Sequence, residues 1–134
     1  MTFKKPKAVG GQRIAAPAQQ LQNADKEPPS FCLRFIVPKY CITRCNPEQK
    51  AAFAQRLYEL SRSTWIELRN AGKRGGTEVL PQFRINEAMP ACITPDVTLI
   101  AFRFWGKAPM VGFRDGRTFH IVWLDIDFSL YDHE

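Results

Sequence analysis

Apolar and polar positions change rhythm three times along the chain. Residues 97–124 hold three β-rich apolar runs, 97–105, 110–114 and 117–124, separated by turn residues at 106–109 and by Asp115-Gly116. Asp-Gly between alternating apolar stretches is a strong short-range hairpin signal, because a two-residue type I′ turn needs positive φ at both central positions. The pattern predicts an antiparallel C-terminal β-meander. Strand parity places Ile100, Phe102 and Phe104 on one face and Arg103 on the other, with Leu99, Ala101 and Trp105. Across the Asp115-Gly116 turn it sets Arg114 opposite Arg117 and Val111 opposite His120. Further on, Phe119, Ile121 and Trp123 share one face, while His120, Val122 and Leu124 share the other. Residues 128–131 read as a short edge strand.

Upstream the rhythm is helical. Asn46-Pro47-Glu48-Gln49 is a helix start: Asn caps, Pro suits the first turn, Glu complements the dipole and Gln completes a capping box. Phe53, Leu57, Leu60, Thr64 and Leu68 follow at three- and four-residue spacing, with Trp65 beside them, before Gly72. One long amphipathic helix over 47–70 is predicted, with Lys50, Arg56, Glu59, Arg62, Ser63 and Glu67 on a solvated face. Residues 30–37 read as a strand closed by Pro38, and 83–85 as a short strand within the Pro-bounded stretch 80–95. Helix and strands are segregated. The fold class expected is therefore α+β, with a long amphipathic helix packed on a small antiparallel sheet.

Residues 1–29 show no sustained period and few large apolar side chains. They read as a basic flexible tail, bearing Lys4, Lys5, Lys7, Arg13 and Lys26 against Asp25 and Glu27, ahead of a single domain over 30–134. The net charge of +6 favours an anionic partner such as nucleic acid, or serves solubility alone. With no apolar run near the length of a membrane span and no secretory pattern, the expectation is a cytoplasmic protein without a membrane partner. Cys32, Cys41, Cys45 and Cys92 are too sparse for a disulfide framework. Neither Cys41 and Cys45 nor the set His120, Asp125, Asp127 and His133 has a recognised metal spacing, so no metal or cofactor is expected.

Candidate chemistry gathers in the C-terminal third. A phenol and an imidazole in Tyr131-Asp132-His133, beside arginines, can combine acid/base chemistry with phosphate stabilisation. His120 is either a hydrogen-bonded structural residue or a second base. Arg114 and Arg117, if opposite, need an anion between them: Asp115, Asp127 or a bound phosphate. The basic, Gly-rich loop Lys73-Arg74-Gly75-Gly76 is either a plain loop or a contact to a phosphate backbone; it lacks phosphate-loop spacing.

The stretch over 97–133 resembles the RelE/ParE-like toxin superfamily of bacterial toxin–antitoxin systems. The similarity lies in Phe102-Arg103-Phe104, then MVGFRDGRTFHIVWL, then Asp127 through His133. The resemblance implies a small basic domain acting as an endoribonuclease that cleaves mRNA on the ribosome, without metal. It implies Arg103 and Arg114 as phosphate clamps, Tyr131 or His133 as the acid/base, His120 as a further candidate, and an antitoxin protein as partner. Lys73, Arg74 and Arg117 would then contact RNA. The family's gyrase-directed branch shares the fold without the nuclease residues. A non-enzymatic nucleic-acid- or protein-binding module, or a toxin-fold protein that blocks a replication or translation partner, are the alternatives.

Overall fold

The computed structural model describes residues 24–133. Five strands, β1 (Ser30–Cys32), β2 (Thr77–Leu80), β3 (Leu99–Trp105), β4 (Ala108–Asp115) and β5 (Thr118–Leu124), form one sheet in the order β1-β5-β4-β3-β2. Pairs β2–β3, β3–β4 and β4–β5 are antiparallel, as the meander predicts, but β1 runs parallel to β5. The sheet is therefore mixed. Only Ser30–Cys32 of the predicted 30–37 strand is in the ladder, and β2 arises where no strand was predicted. Residues 82–84 form a 3-10 turn, and 128–131 form no strand.

The predicted long helix is two short ones, α1 (Pro47–Leu60) and α2 (Trp65–Ala71). Two capping boxes account for this. Asn46 accepts from the Gln49 amide at 2.8 Å, and the Gln49 side chain accepts from the Asn46 amide at 2.8 Å. Thr64 and Glu67 repeat the exchange at the start of α2, at 3.2 and 2.9 Å. Thr64 is thus a cap with extended backbone (φ −81°, ψ 163°), not part of a continuous stripe. Phe53, Leu60, Trp65 and Leu68 are buried as the apolar period predicts, against Phe102, Phe104, Phe119 and Ile121 of the sheet. No described helix is long and apolar enough to cross a membrane.

The other sheet face is also covered. Leu99, Ala101, Val111, Val122 and Trp123 pack under irregular chain that contributes Tyr40, Ile93, Leu130 and Tyr131. The parity of β3 holds, with Phe102 and Phe104 toward the helices and Leu99 and Ala101 opposite. In β5 it holds only to Val122. Val111 faces Trp123 and Gly112 faces Ile121, so Val122 is the extra residue of a bulge. The bulge sends Trp123 to the face of Val122 and Leu124 to the helical face, reversing their predicted sides. Gly112 lies at this bulge, where a Cβ would stand 1.9 Å from the His120 carbonyl oxygen.

The β4–β5 turn also departs from expectation. Asp115 pairs with Thr118, leaving Gly116 and Arg117 as the loop, with left-handed φ (62°) at Gly116 alone. That is the pattern of a II′ turn, not I′. Arg114 therefore faces Phe119, and His120 faces Phe113. The two arginines find carboxylates elsewhere: Arg114 binds Asp25, and Arg117 pairs with Glu27 at 3.7 Å. Residues 1–23 of the predicted tail lie outside the described residues. Residues 24–29 pack on the domain: Asp25 also meets Arg69 at 3.4 Å, and the Glu27 carbonyl accepts from the Trp65 amide at 3.1 Å.

Candidate functional site

Beside the β2–β3 end of the sheet, on the face away from the helices, lies a cleft of about 470 Å³. Its walls bring together four predicted site residues from distant positions: Lys73, Arg103, Tyr131 and His133. Arg84, Lys107, Glu78 and Phe128 join them. Four cationic residues and one carboxylate thus line the cleft, and that carboxylate lies 3.7 Å from Arg84.

Arg103 projects from β3 next to a bulge, since Arg103 faces Pro109 while Trp105 faces Ala108. Its backbone is fixed on both sides. The Arg103 amide donates to the Gly76 carbonyl at 2.9 Å, and Arg56 Nε donates to the Arg103 carbonyl at 2.8 Å. Arg56 Nη2 also donates to the Gly75 carbonyl at 2.7 Å, tying the turn Gly72–Gly75, which carries Lys73, to the same point. Arg56 is therefore a clamp between α1 and the cleft wall, and not a member of a purely solvated face.

The cleft's other wall is residues 125–133, organised by Asp125. Its side chain is 0% exposed and accepts from the Ser129 amide at 2.9 Å and the Leu130 amide at 3.1 Å. The second of its oxygens also lies 2.9 Å from His133 Nε2. An ionised carboxylate only accepts, so neutral His133 carries its proton on Nε2 and leaves Nδ1 with a free lone pair. The imidazole is stacked on the Tyr131 ring (centroids 3.9 Å apart, 22° between planes) and meets Phe128 edgewise at 5.1 Å. Arg84 lies 5.4 Å over the Tyr131 ring and donates to the Asp132 carbonyl at 2.6 Å.

Tyr131 is 5% exposed. Burial first, then the charges of Glu78 and Asp125, push its phenol up to about 12, against the pull of Arg84 and Arg103. At neutral pH it is a proton donor, not a base.

The other predicted residues lie elsewhere. Arg114 is on the helical side of the sheet, 4.4 Å over the Trp65 ring and bound to Asp25. Arg117 is at the β4–β5 turn, and Arg74 is exposed outside the cleft lining. His120 is stacked on Phe113 (4.9 Å) and meets a tilted Phe35 ring at 5.3 Å, with Nδ1 buried and unpartnered. Arg84, Lys107 and Phe128 carry no site signal in the sequence pattern, and Asp125 reads there only as a possible metal ligand. An Asp eight residues before a His is a pairing that no helix or strand period reveals; only the turn at Phe128 makes them meet.

No family profile, no curated protein and no solved structure matches the chain.

Proposed function

We propose that this protein is an endoribonuclease of the toxin kind, cleaving RNA in the cleft of Arg103 and His133. The observation that carries the reading is the hydrogen bond between buried Asp125 and His133 inside a cleft lined by four cations. A base held in one tautomer by a carboxylate, beside cations that neutralise a phosphate, is what 2′-hydroxyl attack on phosphorus requires.

In this reading His133 Nδ1 takes the 2′-hydroxyl proton as O2′ bonds to phosphorus. The bond from phosphorus to O5′ breaks, and the Tyr131 phenol supplies the proton to the leaving O5′. The products are a 2′,3′-cyclic phosphate and a 5′-hydroxyl. Solvent then returns a proton to Tyr131 and removes the one on His133. Arg103, Lys73 and Lys107 counter the charge that builds on the phosphoryl oxygens. Arg114 and Arg117 have no part in this chemistry.

The test is cleavage of a fluorogenic oligoribonucleotide by purified protein in EDTA, comparing wild type, His133→Ala, Arg103→Ala and Arg114→Ala. Loss of a positioned base costs roughly 10²- to 10⁴-fold in rate, so His133→Ala should be nearly inert. Arg103→Ala should be strongly impaired, and Arg114→Ala should retain its rate while folded. Induction in a bacterial host should arrest growth for wild type and Arg114→Ala but not for His133→Ala. Cleavage by His133→Ala at the wild-type rate would refute the site. No cleavage by wild type, with salt-sensitive RNA binding intact, would leave a non-enzymatic binding module.

A further inference from the structure

Phe128 is the one non-glycine described residue with positive φ, at 57°. Left-handed backbone suits Gly and Asn and penalises a residue with a bulky side chain. Asp125 accepts from the amides of Ser129 and Leu130, which closes a tight turn over residues 126–128, and Phe128 takes the left-handed position in it. Packing does not compensate, because Phe128 remains 44% exposed. An aromatic ring is thus held at a conformational penalty, partly exposed, in the wall of the basic cleft and against the His133 imidazole. Residues kept in strained backbone beside reactive groups are where a functional demand overrides local preference.

We propose that Phe128 is a stacking platform for a nucleobase flanking the scissile phosphate, and that the cleft therefore takes unpaired RNA and not duplex. This rests on the endoribonuclease reading and names its substrate class. An exposed ring next to backbone-binding cations is the combination that single-strand binders use: cations follow the phosphates while each base lays its face on an aromatic side chain. Bases in a duplex are already stacked on their neighbours and cannot use such a ring without being extruded.

The experiment measures binding of an uncleavable 2′-O-methyl oligoribonucleotide, single-stranded or annealed to its complement, and cleavage of the matching unmodified strand. Proteins are wild type, Phe128→Asn and Phe128→Trp. Asn fits the left-handed backbone, so Phe128→Asn should melt no lower than wild type while binding single strands roughly 5- to 100-fold more weakly, the worth of one base–aromatic stack. Phe128→Trp should bind as tightly as wild type, and annealing should abolish tight binding and cleavage alike. A folded Phe128→Asn with wild-type affinity would overturn the proposal, as would equal binding of duplex and single strand. If wild type binds single strands in a Phe128-dependent way but cleaves nothing, the platform stands and the endoribonuclease reading falls.

Discussion

Replacing Asp125 by Asn changes one oxygen to an NH₂ group and tests both the architecture and the chemistry of the cleft. In the native loop one carboxylate oxygen accepts from Ser129, and the other from Leu130 and His133. The Asn oxygen can serve Ser129, but its NH₂ group then faces the Leu130 N–H, donor against donor, in a site with no solvent. Hydrogen bonds to a charged acceptor are worth about 1.5–3 kcal/mol each, and a stranded buried donor costs about 1–3 kcal/mol. A net loss of about 3 kcal/mol is expected, leaving a domain of ordinary stability folded at 25 °C with its melting temperature lowered by roughly 10 °C. The NH₂ group also donates to His133 Nε2, moving the imidazole proton to Nδ1 and removing the lone pair that the proposed chemistry requires. Urea unfolding measures the first effect, and ¹⁵N shifts of the histidine ring report the tautomer. Cleavage should fall about 10²-fold or more under conditions where the variant is fully folded. A loss below about 0.5 kcal/mol with the proton still on Nε2 would refute the role given to Asp125.

Tyr131 predicts a pH dependence. Its folded value of about 12 stands above the ordinary 10, so the folded state holds the proton more tightly. The stabilisation is complete below pH 10 and is lost as pH rises to 12, by up to about 3 kcal/mol for two units. Tyr131→Phe should flatten that loss, seen as a smaller drop in urea midpoint between pH 9 and pH 11.5. Gly112→Ala should leave little folded protein by circular dichroism, since the new methyl would overlap the His120 carbonyl and the backbone there is held in both ladders.

Much of the framework was legible because it is local. The Asn46 capping box, the apolar stripe of α1 and the three meander strands are written within a few residues of where they act. The helix break was also written, in Thr64 and Glu67, but Leu60, Thr64 and Leu68 kept the helical period running across it. The parallel β1–β5 pairing is a contact between distant segments, and no local period encodes it. The bulge at Val122 turns a correct alternation into the wrong faces for Trp123 and Leu124. Of the cleft, Tyr131, His133 and Lys73 could be named from chemistry, and Arg103 from the resemblance. Arg114 could not be separated from them, because its partner Asp25 lies in a stretch that reads as tail. Arg84, Lys107 and Phe128 sit on turns, where only the fold says which way a side chain faces.

The parallel pairing of β1 with β5 joins Ser30 to Thr118. In a chain made from its N-terminus, the first strand must wait for everything through β5 before it finds its neighbour. Closing so long a loop costs little more in equilibrium terms than closing a moderate one, since the penalty grows only with the logarithm of length. Its kinetic weight is larger, because contacts between remote segments slow folding. The cleft wall from Asp125 onward is built on the end of that same strand. A nascent chain therefore carries helices α1 and α2 well before it can hold His133 against Asp125, and the chemistry proposed for the cleft is withheld until the sheet closes.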